Sequence, residues 1–168
     1  MARDYRLLAY DAARIDASAK SVGWGPYWKL YTAENLIRII VNTVLLLQVG
    51  PDWWVNNIDP KIQEQAARFS RRHAGSPWHS SQGRHGVYYT FLGDLGEILR
   101  ANGHLFLPII PDVDQWIARI EQVRLPRNVV GHMNFPTATD RKRIDVFYSD
   151  VKSLAAKLEA DGIAMRIP

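Results

Sequence analysis

The chain has no cysteine. Disulfide frameworks and Cys-based zinc sites are therefore excluded. It has no long apolar run either. The best stretch, Leu36 to Val49, is too short to span a bilayer and is broken by Arg38, Asn42 and Gln48, so a buried helix is expected there. The N-terminus, MARDYRLLAYDAAR, carries charges throughout and lacks the continuous apolar core of a secretory signal. No membrane partner and a cytoplasmic location are the expectations. Internal repeats and low-complexity tracts are missing. Strand signals are weak. Val44 to Val49 and Val146 to Tyr148 hold β-branched or aromatic residues, but each lies inside a longer helical pattern.

What remains is a chain of 168 residues, 47% hydrophobic and 23% charged, with ordinary globular proportions. That length predicts one domain, residues 1–168, with a genuine core. Six Trp and seven Tyr make it rich in large aromatics. The net charge of +4 and pI near 9.5 favour an acidic partner such as nucleic acid, though solvated surfaces carry similar excesses.

The periodic segments read as helix. The first covers about Asp4 to Lys20, with Leu7, Leu8, Ala12 and Ile15 as apolar positions. The second runs from about Tyr27 to Gln48, between Gly25-Pro26 and Gly50-Pro51. A third covers Pro60 to His73, with Asp59 as N-cap and Pro60 at the first helical position. A fourth spans Val87 to Asn102 and ends at Gly103. A fifth begins near Asp112 or Asp114 and carries Trp116, Ile117, Ile120 and Val123. Pro126 either kinks it or opens a new helix. The last runs from Thr139 to Ala160. The predicted fold is an all-α bundle of five to six helices.

The second helix is apolar nearly all round, and its exceptions are ordered. Glu34, Arg38 and Asn42 are four apart and stack on one face, with Tyr27 and Tyr31 extending that line. One reading is a thin solvent-facing stripe with a weak Glu34–Arg38 pair. The other is the polar wall of a cleft, since isolated charges inside a core are expensive.

The run Arg127-Asn128-Val129-Val130-Gly131-His132 packs a cation, an amide and an imidazole into about one and a half helical turns. Asn128 and His132 are i and i+4. Arg127 and His132 are i and i+5 and diverge by about 140° around the axis, a gap that the long Arg side chain narrows. RNA cleavage without a metal needs these groups. Imidazole serves as base or acid, and guanidinium matches phosphate oxygens. The spacing alone is not specific, since Arg68–His73 and Arg72–His79 resemble it. Only the Arg127 copy has Asn beside Arg and follows an amphipathic helix.

On that run, and on the segment YTAENLIRIIVNTVLLLQVGPDWWVNNI (Tyr31 to Ile58), the chain resembles the HEPN superfamily of small α-helical domains. It looks most like the branch attached to PIN-type RNA endonucleases, with similarity over about 28–160. The resemblance implies a HEPN-like bundle and a metal-independent endoribonuclease that yields a 2′,3′-cyclic phosphate, often a toxin or defence effector. It implies RNA as partner and a homodimer with a composite active site at the interface. An antitoxin or regulatory protein is a further implied partner, and no cofactor or metal is expected. Carried over, Arg127 and His132 are catalytic and Asn128 supports them. Glu34, Arg38 and Arg124 are the substrate-binding candidates. Pro126 and Gly131 depart from a regular motif helix. The alternative is a non-catalytic HEPN-like module that binds nucleic acid, a nucleotide or a protein, and the apolar second helix also admits an oligomer scaffold.

Other features compete. The loop SPWHSSQGRHG, preceded by Arg71, Arg72 and His73, offers charge and a stacking surface at Trp78, or is a surface loop. His73, His79 and His85 match no standard zinc spacing. Trp53-Trp54 reads as a core or interface anchor. Arg141-Lys142-Arg143 is a solvated first turn or a phosphate contact, and is poorly placed for the helix dipole.

Overall fold

The structure is a computed structural model that describes residues 4–7, 11–76 and 78–168. Among these residues the fold is all-α. A 3-10 turn, Tyr5–Leu7, precedes α1 (Ala12–Val22), which passes through a π-helical turn, Gly23–Tyr27, into α2 (Trp28–Val49). Then come α3 (Trp53–Asn57), α4 (Pro60–Ala74), a 3-10 turn at Gly86–Tyr89, α5 (Leu92–Ala101), α6 (Gly103–Phe106), α7 (Val113–Gly131) and α8 (Ala138–Ala160). Both weak strand signals lie in helix, the first in α2 and the second in α8.

Several boundaries differ from expectation, each for a local reason. α1 begins at Ala12 because the Asp11 carboxylate caps it, accepting from Ala13 N at 2.9 Å. Residues 8–10 of the expected first helix lie outside the described residues. Gly25-Pro26 does not separate α1 from α2. A proline lacks an N–H and collides with the carbonyl of residue i−4, and the wider π turn accommodates it. The helical stretch Ala13–Val49 is long and apolar enough to cross a membrane by length and composition, yet 61% of its most apolar window is buried inside the fold.

The helix expected over Val87 to Asn102 is two elements. Thr90 and Phe91 are extended, and the Asp94 carboxylate accepts from Phe91 N at 2.8 Å, which starts α5 afresh at Leu92. Asn102 ends α5, and Gly103 opens α6 rather than closing the helix before it. α7 continues through Pro126 to Gly131, and no new helix opens there. Trp116, Ile120, Val123, Pro126 and Val130 are all buried along one face, and that packing holds the helix together across the missing N–H.

α2 occupies the middle, packed against α5, α6 and α8, while α7 lies between α5 and α8. Their buried faces form one core that includes Ile37, Val41, Val44, Leu45, Leu95, Ile98, Phe106, Ile120, Ile144 and Val151. Ion pairs staple the outside: Lys29 with Asp145 at 2.5 Å and Arg119 with Asp150 at 3.1 Å. Gly50 closes α2 with φ +92°, a left-handed value that favours glycine. The segment after α8 returns along α2. There Arg166 N donates to Thr43 Oγ1 and Asn42 Nδ2 donates to Arg166 O, both at 2.8 Å.

His85 sits between the rings of Trp53 (5.0 Å) and Trp54 (5.4 Å), and its Nδ1 accepts from Val87 N at 3.2 Å. It is a structural histidine, and burial lowers its pKa from 6.5. The unfolded chain then binds this proton at higher pH than the native one, so stability falls as pH drops through the unfolded value. In urea unfolding, the advantage of the wild type over His85→Gln is expected to narrow between pH 7.5 and pH 5.5. A constant difference would remove His85 as a proton-linked contributor.

Candidate functional site

α2 and α7 carry chemistry on their facing sides. Glu34 and Arg38 are i and i+4 on α2, and their ion pair is nearly sealed, with side-chain exposures of 10% and 11%. Arg127 approaches from α7 and grips the same carboxylate in a fork: Nε donates to Glu34 Oε2 at 3.0 Å and Nη2 to Oε1 at 3.2 Å. Arg38 also donates to Asn35 Oδ1 at 3.1 Å and to the Thr90 carbonyl at 2.9 Å. Two guanidiniums thus share one carboxylate. Such a triad leaves one positive charge, and Arg38 Nε remains buried with no partner among the described atoms.

Beside this triad is a hollow of about 540 Å³. Tyr27, Tyr31, Glu34, Asn35 and Arg38 line it from the α2 side, and Arg127, Val130 and Gly131 from α7. Ser81, Gln82 and Tyr88 complete the wall from the connection between α4 and α5. The cleft-wall reading of the polar stripe therefore holds for Glu34, Arg38 and both tyrosines. It does not hold for Asn42, which lies in the core, accepting from Trp53 Nε1 at 3.1 Å. Nor is Glu34–Arg38 a weak solvent-facing pair.

Gly131 adjoins the Arg127 guanidinium, which lies back along its own helix: a Cβ there would stand 3.4 Å from Nη1, at van der Waals contact. The Phe91 ring lies 5.8 Å from the Arg127 guanidinium carbon on the α5 side. Nη1 keeps no hydrogen-bond partner among the described residues and remains a donor beside the hollow.

α7 ends directly after this point. His132 N donates to Asn128 O (2.9 Å), Met133 N to Val130 O (3.0 Å) and Asn134 N to Val129 O (2.9 Å), a Schellman closure. The left-handed position falls on Met133, with φ 61°, where glycine is usual. His132 is the C-cap and is exposed. The expected i, i+4 relation of Asn128 and His132 survives in the backbone, but within one chain the imidazole is not part of the hollow's wall. Arg124 also lies off it, paired with Glu121 at 3.0 Å.

The other candidates resolve simply. Trp53 is buried as an anchor. No group of three or more His, Asp and Glu side chains is placed to hold a metal among the described residues. Arg143 pairs with Asp140 at 3.4 Å, and Asp140 closes a capping box with Thr137 that offsets the basic first turn. Asn35, Tyr88 and Phe91 were not singled out by the sequence, whereas Ser81 and Gln82 belong to the loop SPWHSSQGRHG that was read as a strand guide or a surface loop.

No family model, curated protein or solved structure matches the chain.

Removing one member of a buried ion cluster strands the others without compensation. Glu34→Ala is expected to destabilise the fold by about 3 kcal/mol in denaturant unfolding, with Glu34→Gln losing less. A loss below about 1 kcal/mol would mean that the guanidiniums reach water on their own.

Proposed function

We propose that the protein is a metal-independent endoribonuclease acting by 2′-hydroxyl attack, in keeping with the HEPN resemblance. The observation that carries this reading is the net-positive Glu34–Arg38–Arg127 cluster on the wall of an open hollow, with His132 one residue beyond Gly131 at its edge. A phosphodiester in that hollow would meet Arg127 Nη1 as a charge-matched donor. The 2′-hydroxyl loses its proton and its oxygen bonds to the adjacent phosphorus. The phosphorane charge is held by guanidinium, and the 5′-oxygen departs with a proton, leaving a 2′,3′-cyclic phosphate. In this scheme His132 serves as acid and base, Arg127 stabilises the phosphorane, and Asn128 orients the imidazole.

Because the imidazole stands outside the hollow of its own chain, the scheme needs a second copy to close the site. Leu125 on α7 and Met133 in the turn just past its end, both exposed, offer apolar surface for that pairing. The exposed position of His132 also favours a second reading, in which the cationic hollow binds RNA or a nucleotide without cutting it.

One measurement separates the two. The protein is incubated with mixed RNA, with and without EDTA, and new 3′ ends are analysed by mass spectrometry. Cyclic-phosphate ends are expected in both arms, and none when the scissile 2′-hydroxyl is replaced by hydrogen. His132→Ala and Arg127→Ala should each lower cleavage by about 100-fold or more while the helical circular-dichroism signal is retained. Binding with no cyclic phosphate, or full cleavage by His132→Ala, would leave the non-catalytic reading in place.

A further inference from the structure

We propose that an aromatic band on the π turn and the start of α2 is a stacking platform for single-stranded RNA that extends out of the hollow. The inference deepens the nuclease reading by naming the strandedness and footprint of its substrate. The band is Trp24 and Tyr27 on the π turn and Trp28 and Tyr31 at the start of α2, with the Trp28 indole lying back over the Trp24 backbone. All four are exposed, at 83%, 50%, 41% and 65% respectively. A folded chain has every reason to bury such surface, and an exposed contiguous aromatic patch marks a contact site. Tyr27 and Tyr31 line the cationic hollow, while Trp24 and Trp28 border a second depression with Gly23. Tyr27 and Trp28, neighbours in the chain, link the two. Trp28 is braced, its indole N–H donating to the Trp24 carbonyl at 2.8 Å and its ring set edge-on to Tyr148 at 5.0 Å.

Charge decides the occupant. At the hollow end, Arg38 and Arg127 share a single carboxylate and leave one positive charge. At the opposite end, Arg141 Nη1 lies 3.6 Å from where a Cβ on Gly25 would be. Arg141 is half-buried on Phe135, with Nη1 donating to Ser21 Oγ and Nη2 sealed from solvent, and it has no carboxylate partner among the described residues, so it contributes charge. Between the ends, Lys29 is neutralised by Asp145. The surface is thus aromatic in the middle and positive at both ends. A nucleic-acid strand, with stackable faces and a phosphate at every step, complements it. A second copy laid antiparallel on the band would set positive ends against positive ends. From Trp24 to Tyr31 the helix rises about 10 Å, room for about three stacked bases. Bases paired inside a duplex cannot offer their faces to the band.

The test uses a 5′-labelled, 2′-O-methyl single strand of eight nucleotides, which cannot be cut, and its duplex, read by fluorescence anisotropy. Trp24→Ala is expected to weaken single-strand binding by about fivefold or more, and Trp24→Phe to restore most of it. Duplex binding should be insensitive to both changes. Cleavage of a dinucleotide, which reaches only the hollow, should be the same in Trp24→Ala as in wild type. Unchanged single-strand affinity in Trp24→Ala overturns the platform, even where cleavage persists. So does a changed oligomeric state of that variant in sedimentation, which would make the band a self-contact. If wild-type protein cuts no RNA, the nuclease reading fails by itself, and the anisotropy comparison still decides the platform.

Discussion

The Glu34 carboxylate, shared between Arg38 on its own helix and Arg127 on α7, is the constraint on which the candidate site depends. Residues 93 positions apart in sequence meet there in a fork of two hydrogen bonds. An isolated charge at this depth would be costly, and so would an isolated pair with imperfect geometry. The carboxylate instead accepts from two planar guanidiniums, each of which presents several donors in fixed directions. That choice ties α2 to α7 through side chains. It also leaves the cluster cationic, because one anion cannot neutralise two cations. A structural staple and an anion-attracting wall are the same three side chains.

The end of α7 expresses the opposite tendency. Upstream, Trp116, Ile120, Val123, Pro126 and Val130 anchor the helix in the core. Past Val130 the burial stops: Gly131, His132 and Met133 are all exposed. The chain turns by placing methionine in the left-handed region, a conformation that disfavours any side chain. Nothing in the local packing requires methionine there, since its side chain is among the most exposed apolar groups of the fold. The chain thus accepts a backbone cost at a solvent-facing turn immediately after Arg127.

Much of this was legible from the residues, and the failures have definite causes. Periodicity located every helix of ten residues or more, because burial of one face is what a 3.6-residue repeat records. The stripe at Glu34 and Arg38 was readable for a related reason: charges on an otherwise apolar helix must meet water or each other. The same logic could not separate Asn42 from them. An amide is satisfied equally well by solvent or by the Trp53 indole and the Arg166 carbonyl, and both of those partners come from other segments. That Pro126 stays inside α7 instead of opening a new helix depends on a buried face, which the sequence does not show beside the proline's local penalty. The break before α5 depends on a single carboxylate, Asp94, reaching back to Phe91 N. Ser81, Gln82 and Tyr88 reach the hollow only through the path of a connection, which no periodicity encodes.

The distribution of charge and aromatic surface gives the site its direction. Burying the Glu34–Arg38 pair beneath Arg127 spends the cluster's one anion deep in the wall, so the field at the opening is set by the cation left over. Neutralisation of Lys29 by Asp145 keeps the middle of the adjoining band free of strong charge, and Arg141 restores positive potential beyond it. On the proposed reading, a ligand that alternates flat apolar faces with regularly spaced negative charge would be held along that whole track, a compact anion at either end alone and an apolar ligand only in the middle. Selectivity for an extended strand over a free phosphate would then come from where the protein has cancelled its charges, as much as from where it has left them.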